Sequence, residues 1–294
     1  MNQRRLTPSM SLLLAFEAAA RHESYTRAAE ELALTQSAVS RQVQALELMI
    51  NVKLFEKRGR QIVLTDAGQL YKRELETALS SIRSATLKTI AFASGAGTLR
   101  LTVLPTFGAK WLLPKLNSFY QQHTNISLHI QSSITPVDFQ RSQTDVAISV
   151  GVGYWPDVIC DYLMDEELVV IGRPEDFKFN KNTQPNVVTH FTLLNIINNK
   201  DSWTSWFEKH DLQIRTMRRG PDFELTSHLI QAVKAGIGIG LVPKILVEDE
   251  LAAGELVSPF QPMKSKRNYY LVYPEHNAHL PSLIQFREWL LSHI

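Results

Sequence analysis

The sequence predicts an α/β protein with a winged helix-turn-helix at its N-terminus, one long helix, and a larger region in which strands and helices alternate. Three observations carry that reading. Residues 7–50 hold three short amphipathic helical patterns, each preceded by a hydroxyl residue; a hairpin pattern with a basic tip follows; and from residue 98 strand and helix patterns alternate. A chain of 294 residues is long for one core and suggests about two domains.

Thr7 and Pro8 read as N-cap and first residue of a helix whose buried stripe runs through Leu12 or Leu13, Phe16, and Ala19 or Ala20. Ser24 caps a second helix, "YTRAAEELAL", expected to bury Ala28, Ala29 and Leu32. Thr35 caps a third, "QSAVSRQVQALE", whose apolar positions Val39, Val43 and Leu46 are spaced four and three apart. The opposite face carries Gln36, Ser37, Ser40, Arg41 and Gln44. These side chains can hydrogen-bond base edges and phosphates, and they differ from the Glu/Lys mixture of an ordinary solvated face. The short pause at Leu34 and Thr35, with small alanines inward, suits two closely crossing helices.

After Asn51, "KLFEKRGRQIVLT" forms two short strand-like runs about the turn Lys57-Arg58-Gly59-Arg60, a wing whose tip can approach a polyanion. Thr65 and Asp66 open a helical stretch reaching about Ala93, with a seam at Tyr71, Leu75, Leu79, Ile82, Thr86 and Thr89. At about 1.5 Å per residue such a helix is roughly 40 Å long. Its single narrow seam is expected to pair with a copy of itself. "SGAGT" ends it and marks a domain boundary.

Beyond this point "LRLTVL", "ISLHIQ", "DVAISVG", "ELVVIG", "GIGIGLV" and "NYYLVY" read as buried strands. Helices are expected at about Phe107–His123, weakly near Phe139, and at about Leu225–Ala235, Lys244–Ala253 and Leu283–Ser292. Alternation of this kind predicts parallel sheets covered by helices.

Composition narrows the class further. An apolar content of 44% with 20% charged residues is ordinary for a globular protein. The opening apolar run is short and broken by Glu17, which argues against a signal peptide, and no stretch approaches a membrane span. With a single Cys160 an internal disulfide and a cysteine-built zinc site are excluded, which fits a reducing cytoplasm. Residues 1–64 hold nine Lys/Arg against six Asp/Glu, and residues 65–294 hold 22 against 23. The basic excess thus lies where the polar helix face and the wing are, although it is too mild to imply nucleic acid alone.

Taken together, "FEAAARHESYTRAAEELALTQSAVSRQVQALE", "LFEKRGRQIVLTDAG", "LPTFGAKWLLPKLNSF", "DVAISVGVGYWPDV" and "GELVSPF" resemble the LysR-type transcriptional regulators along the whole chain and in the same order. The "WLLP" and "VGYWP" segments are similar to the subgroup of the glycine-cleavage activator, the β-lactamase regulator and the D-serine deaminase activator. The resemblance implies residues 1–64 as a winged helix-turn-helix DNA-binding domain and 65–94 as a dimerisation helix. It implies 98–294 as a two-subdomain effector domain resembling periplasmic solute-binding proteins, with subdomain I at 98–168 plus 268–294 and subdomain II at 169–267.

Carried over position by position, the resemblance assigns Gln36, Ser37, Ser40 and Arg41, with Gln44 on the same face, to the recognition helix, and Arg60 to the minor groove. Chemically, Arg41 can fork onto guanine or clamp a phosphate, and Gln36 can pair with adenine. Arg58 and Lys57 suit phosphates. Arg27 is open between a phosphate contact and an ion pair with Glu30 or Glu31. In the effector cleft the resemblance places Thr106, Phe107, Ser149, Thr226, Ser227 and Tyr269. Thr106 opens a helix whose free N–H groups favour a carboxylate, with a plain helix cap as the simpler role. Trp155 either closes the cleft or fills a core.

The implied partners are double-stranded promoter DNA, a small-molecule effector, further copies of the chain as homodimer or homotetramer, and RNA polymerase. No cofactor, metal or membrane is implied. "GIGIG" at Gly236–Gly240 enters a strand and lacks the dinucleotide-binding context. Cys160 is expected to be buried and not a redox sensor. "DEE", Asp165–Glu167, reads as a solvated strand end, and His22, His123 and His190 form no nucleophilic arrangement. A periplasmic solute-binding protein would account for 98–294 but not for the winged helix. An enzyme would need an acid/base pair or an activated nucleophile, and none is legible.

Overall fold

Alanine sets the spacing of the first helices. In the computed structural model, which describes residues 6–59, 61–94, 97–177 and 183–294, α1 (Met10–His22), α2 (Tyr25–Leu32) and α3 (Gln36–Ile50) bury Ala15, Ala18, Ala19, Ala20, Ala28 and Ala29 between them. Such small side chains let helix axes approach closely, and Phe16, Val39, Val43 and Leu46 fill the remaining core. Thr35 and Ser24 cap as expected, accepting from the Ala38 and Arg27 N–H groups at 3.2 and 3.3 Å. The first helix begins later than predicted: Ser9, not Thr7, is its N-cap.

A two-stranded hairpin follows, β1 (Phe55–Arg58) against β2 (Gln61–Leu64), antiparallel with Arg58 opposite Gln61. Gly59 adopts φ +64° at its tip, a conformation that favours glycine. The hairpin is fastened to α3 by one carboxylate. Glu47 is buried and accepts from Lys53 Nζ at 2.7 Å and from the Leu54 and Phe55 N–H groups at 2.9 and 3.1 Å. Burial pushes this carboxyl up, but the hydrogen bonds from Lys53, Leu54 and Phe55 prevail and hold it below its ordinary 4.5.

Helix α4 (Asp66–Ser94) starts under Thr65, whose hydroxyl donates to the Lys53 carbonyl at 2.8 Å and accepts from the Gly68 N–H at 3.0 Å. A Cβ at Gly68 would stand 2.1 Å from the Leu54 carbonyl oxygen, so only glycine permits this approach. The seam read along α4 divides in two. Tyr71, Leu75 and Leu79 pack into the core of their own helical unit, Leu79 being 3% exposed, whereas Ile82 is 46% exposed. Leu79 is therefore part of the fold and not of an open seam.

The chain separates into two units, Met1–Leu87 and Lys88–Ile294. The second is organised by one eight-stranded mixed sheet, ordered β4-β3-β5-β10-β6-β9-β7-β8. Its strands are β3 (Gly97–Val103), β4 (Ile126–Ser132), β5 (Val146–Gly151), β6 (Ile159–Ile171), β7 (Thr192–Ile196), β8 (Arg218–Phe223), β9 (Ile239–Pro243) and β10 (Met263–Tyr273). Its helices are α5 (Pro105–Phe107), α6 (Leu116–Gln122), α7 (Ser202–Lys209), α8 (Thr226–Lys234), α9 (Glu248–Ala252) and α10 (Pro281–Leu291).

Strands β3, β4 and β5 are mutually parallel, as are β7, β8 and β9, which accords with the predicted alternation. The long strands β6 and β10 run antiparallel to their neighbours and join the two groups, so the sheet is mixed. Strand β6 pairs with β10 from Ile159 to Leu168 and with β9 from Leu168 to Ile171. Around β3, β5 and α10 lies one core containing Phe107, Phe119, Phe286 and Trp289. Around β6, β7 and β9 lie two, and the phase of β6 sorts its side chains between them. Leu168 and Val170 join Trp203, Trp206 and Phe207 of α7, while Val169 and Ile171 join Leu229 and Val233 of α8.

Three local expectations are corrected. The helix expected over Phe107–His123 starts at Pro105, widens into a π turn over Gly108–Leu112, tightens at Leu113–Lys115 and resumes as α6. Pro114 lacks the N–H that a continuous helix needs. Near Phe139 there is a turn, in which Asp138 Oδ1 accepts from the Gln140 and Arg141 N–H groups at 3.0 and 3.2 Å. Cys160 is half-buried on β6, and burial pushes its thiol up. Among the described residues no helix is long and apolar enough to cross a membrane.

Replacing Glu47 with Ala leaves the buried Leu54 and Phe55 N–H groups without their acceptor and should cost about 2–4 kcal/mol in chemical denaturation of the N-terminal unit. Because the folded pKa lies below the unfolded one, this contribution is present above about pH 4.5. It is lost as pH falls through the folded value, and the Glu47→Ala variant should lack that dependence. Leu79→Glu should destabilise the unit by more than about 3 kcal/mol, and Ile82→Glu should leave the helical content of the folded unit unchanged.

Candidate functional site

Two surfaces collect the residues singled out in the sequence. On α3, Gln36, Ser37, Arg41 and Gln44 are exposed and Ser40 is half-buried, because Val39, Val43 and Leu46 turn the opposite face into the core. Arg41 Nε donates to the Ser37 carbonyl at 3.3 Å, which aligns the guanidinium along the helix without engaging its terminal nitrogens. Lys57 and Arg58 are exposed on the hairpin, with Arg58 beside Glu56 at 3.0 Å. Arg60 lies outside the described residues.

Arg27 is exposed and makes no ion pair among the described residues. Glu31 is instead taken by Arg21 and His22, at 2.6 and 2.7 Å. The hydrogen bonds from Arg21 and then His22 hold the Glu31 carboxyl down at about 2. This exposed face thus carries amides, hydroxyls and cations.

The second surface is concave. A cavity of about 400 Å³ in the C-terminal unit is lined by Thr106, Phe107, Ser149, Thr226 and Tyr269, and by Trp155. Ser227, the sixth residue expected in the cleft, adjoins it: its N–H donates to Thr106 Oγ1 at 3.0 Å. Thr106 sits within the first turn of α5, where Leu104 is the capping residue, so its hydroxyl is not a cap on its own helix. It satisfies one free N–H at the start of α8 instead. Ser149 lies within β5, opposite Tyr270 of β10. Trp155 belongs to the cavity wall and not to a core, with its ring against Tyr270 at 5.6 Å.

Tyr269 forms the buried side of the cavity. It is 2% exposed, stacks on Phe107 at 4.8 Å, and its hydroxyl makes no hydrogen bond to the described residues. Burial and then the nearby Glu166 charge push the phenol up, so it stays protonated and can donate. The hydroxyl of this buried ring is thus left to a ligand or to water in the cavity.

The sequence reading missed the charged part of this wall. Glu166, read as a solvated strand residue, is 2% exposed. It accepts both Arg267 Nη2 at 2.7 Å and Arg267 Nε at 3.0 Å, while Arg267 Nη1 donates to the Asn198 carbonyl at 3.2 Å. Both side chains line the cavity. Its neighbour Asp165 does reach solvent, where it meets Lys264 at 2.6 Å. The available signal was phase: Glu166 shares the period of Leu168 and Val170, which face a core. Further round the molecule Lys110, on the π turn, pairs with the buried Glu250 of α9.

A winged helix-turn-helix with an open polar recognition face, in one chain with a sheet domain enclosing a small-molecule-sized cavity, defines a ligand-responsive DNA-binding regulator. Comparison with known proteins agrees. Residues 10–69 match the family of bacterial regulatory helix-turn-helix proteins of the lysR type, and residues 93–294 match the LysR substrate binding domain. The chain therefore belongs to the LysR family of DNA-binding transcriptional regulators, with an effector-binding domain.

It is 35% identical over 287 residues to the glycine cleavage system transcriptional activator of Escherichia coli, covering 97% of this chain and 93% of that one. It is 31% identical over 284 residues to the transcriptional activator AmpR of Pseudomonas aeruginosa, covering 96% and 95%. Among solved structures, the effector domain of AmpR from Pseudomonas aeruginosa matches with a TM-score of 0.60 and 26% identity, over 66% of this chain and 93% of that one. The full-length virulence activator AphB of Vibrio cholerae matches the fold with a TM-score of 0.61 and 18% identity, over 97% and 100%.

Proposed function

We propose that this regulator is controlled by a small carboxylate-bearing metabolite held in the cavity beside Tyr269. The observation that carries the reading is the Tyr269 hydroxyl, which has no hydrogen bond among the described residues and stands on a buried ring that lines the cavity, a donor that a bound anion would engage. Thr106 and the N-terminal turn of α8 lie on the same wall, where the positive end of the helix dipole favours a carboxylate. Phe107, Ser149, Thr226 and Ser227 complete the contact set. A ligand binding one arrangement of the domain better than another shifts the population between them, and the DNA-binding unit reads out that shift.

The division of the chain follows the family pattern: DNA binding by residues 1–64, dimerisation through 65–94, and effector binding by 98–168 with 268–294 and by 169–267. The exposed apolar residues of α4 beyond its own core, Ile82 and Leu87, suit contact with a second copy, giving a dimer or tetramer on promoter DNA in the cytoplasm, with RNA polymerase as the downstream partner. On the DNA, Gln36, Ser37, Ser40, Arg41 and Gln44 address the major groove. Arg58 and Arg60 address the backbone and the minor groove, and the unpaired Arg27 suits a phosphate.

Arg41→Ala should weaken operator binding by about 1–3 kcal/mol and relax preference at one base position. Arg58→Ala should weaken all sequences alike and flatten the salt dependence. Mobility shifts with specific and scrambled fragments across a salt series separate the two, and an Arg41→Ala protein of unchanged specificity would remove that residue from base reading. For the cleft, Tyr269→Phe, costing about 1 kcal/mol or less, and Thr106→Val, costing about 1–3 kcal/mol because the Ser227 N–H loses its acceptor, should each keep the fold and basal DNA binding and lose the response to inducer. A reporter promoter that responds to inducer as fully as with the parent protein would reject both residues as anchors.

A further inference from the structure

The charges around the cavity restrict the ligand more than its hydroxyls do. Among the described residues its wall carries three ionisable charges, those of Glu166, Glu224 and Arg267. The charge of Arg267 is already matched, because its Nε and Nη2 donate to Glu166, and its Nη1 donates to the Asn198 carbonyl. Glu224 is exposed, stands two residues before α8, and makes no ion pair or hydrogen bond among the described residues. Two carboxylates against one engaged guanidinium leave the wall formally negative.

The surroundings have the same sign. A neighbouring cavity of about 1,060 Å³ shares Pro136, Val137, Ser149 and Trp155 with the first. Its ionisable lining is Asp138, Asp157, Glu275 and His276, without lysine or arginine. Among the described residues, only Asp138 of these carboxylates has an ion-pair partner, Arg141 at 3.8 Å. A plain carboxylate would meet a repulsive potential that the partial charge of one helix end offsets only in part. A ligand that brings its own cation meets no such barrier.

We infer that the effector is a zwitterion, an α-amino carboxylate, whose carboxylate faces Thr106, Tyr269 and the start of α8 while its ammonium group faces Glu224. This rests on the cavity being the effector site. Glu224, Leu225 and Thr226 run consecutively along its wall, so a carboxylate and an adjacent amine can be met by one short segment. Glu166 acts differently: enclosed and doubly bonded, it fixes Arg267 and contributes charge to the wall, not a ligand contact.

The test uses the full-length protein in thermal-shift and calorimetric titrations at millimolar ligand. The probes are the protein amino acids in both enantiomers, each matched with its desamino acid: alanine with propionate, glutamate with glutarate, serine with 3-hydroxypropionate. At least one amino acid should raise the midpoint while its desamino partner does not. Glu224→Gln should weaken that amino acid by about ten-fold or more and leave the unliganded midpoint unchanged. If desamino acids bind as well as their amino acids, the zwitterion is overturned while the carboxylate reading stands. If no probe of either kind shifts the protein, both fail. If Glu224→Gln retains the full discrimination, the assignment of the ammonium to Glu224 is overturned.

Discussion

The effector domain turns on an ion pair between two strands that run through its whole sheet. Glu166 on β6 and Arg267 on β10 meet where the pairing between these strands is irregular, between Lys264 and Asn268. A bare carboxylate at this depth would be costly, as would an unpaired guanidinium, and each is tolerable because the other is there. The strands bearing them are the ones that join β3, β4 and β5 to β7, β8 and β9. The cavity sits beside this join. Its polar contacts are therefore fixed by the same two strands that give the sheet its continuity, with Tyr269 two residues from Arg267.

How much of this could be read from sequence depended on whether a residue's surroundings were local. The caps at Ser24 and Thr35, the stripe Val39-Val43-Leu46 and the basic hairpin tip are local patterns, and the structure has them. So are the β-branched runs that became strands. The residues around the cavity came from four separated segments, and only the family resemblance assembled Thr106, Ser149, Thr226 and Tyr269. Glu166 escaped because acidic neighbours on both sides disguise its phase. Leu79 misled for a related reason: periodicity reports that a face of α4 is apolar but not whether its own domain or another molecule covers it. The short helix α7, with Trp203, Trp206 and Phe207 buried, has too few turns for its period to stand out.

Two design solutions to buried polarity coexist in the molecule. Glu47 is saturated: a lysine and two backbone N–H groups surround one carboxylate, making a rigid joint between α3 and the hairpin. Tyr269 is the opposite, a donor on a buried ring that has no acceptor among the described residues and stands beside an open volume. Saturation serves where the geometry of a recognition surface must not vary. An unmet donor serves where the protein has something to recognise.

The position of β10 also has a bearing on the order in which the protein can be made. This strand, from residues 263–273, lies between β5 and β6 in the sheet although it is the last of all the strands to leave the ribosome. Until it arrives, β5 and the first half of β6 have open edges, and Glu166 has no counter-ion. The helical unit, by contrast, closes on residues within the first 87. During synthesis the N-terminal unit can be native while the remainder still exposes unpaired strand backbone, a state prone to association that lasts until the C-terminal residues are released.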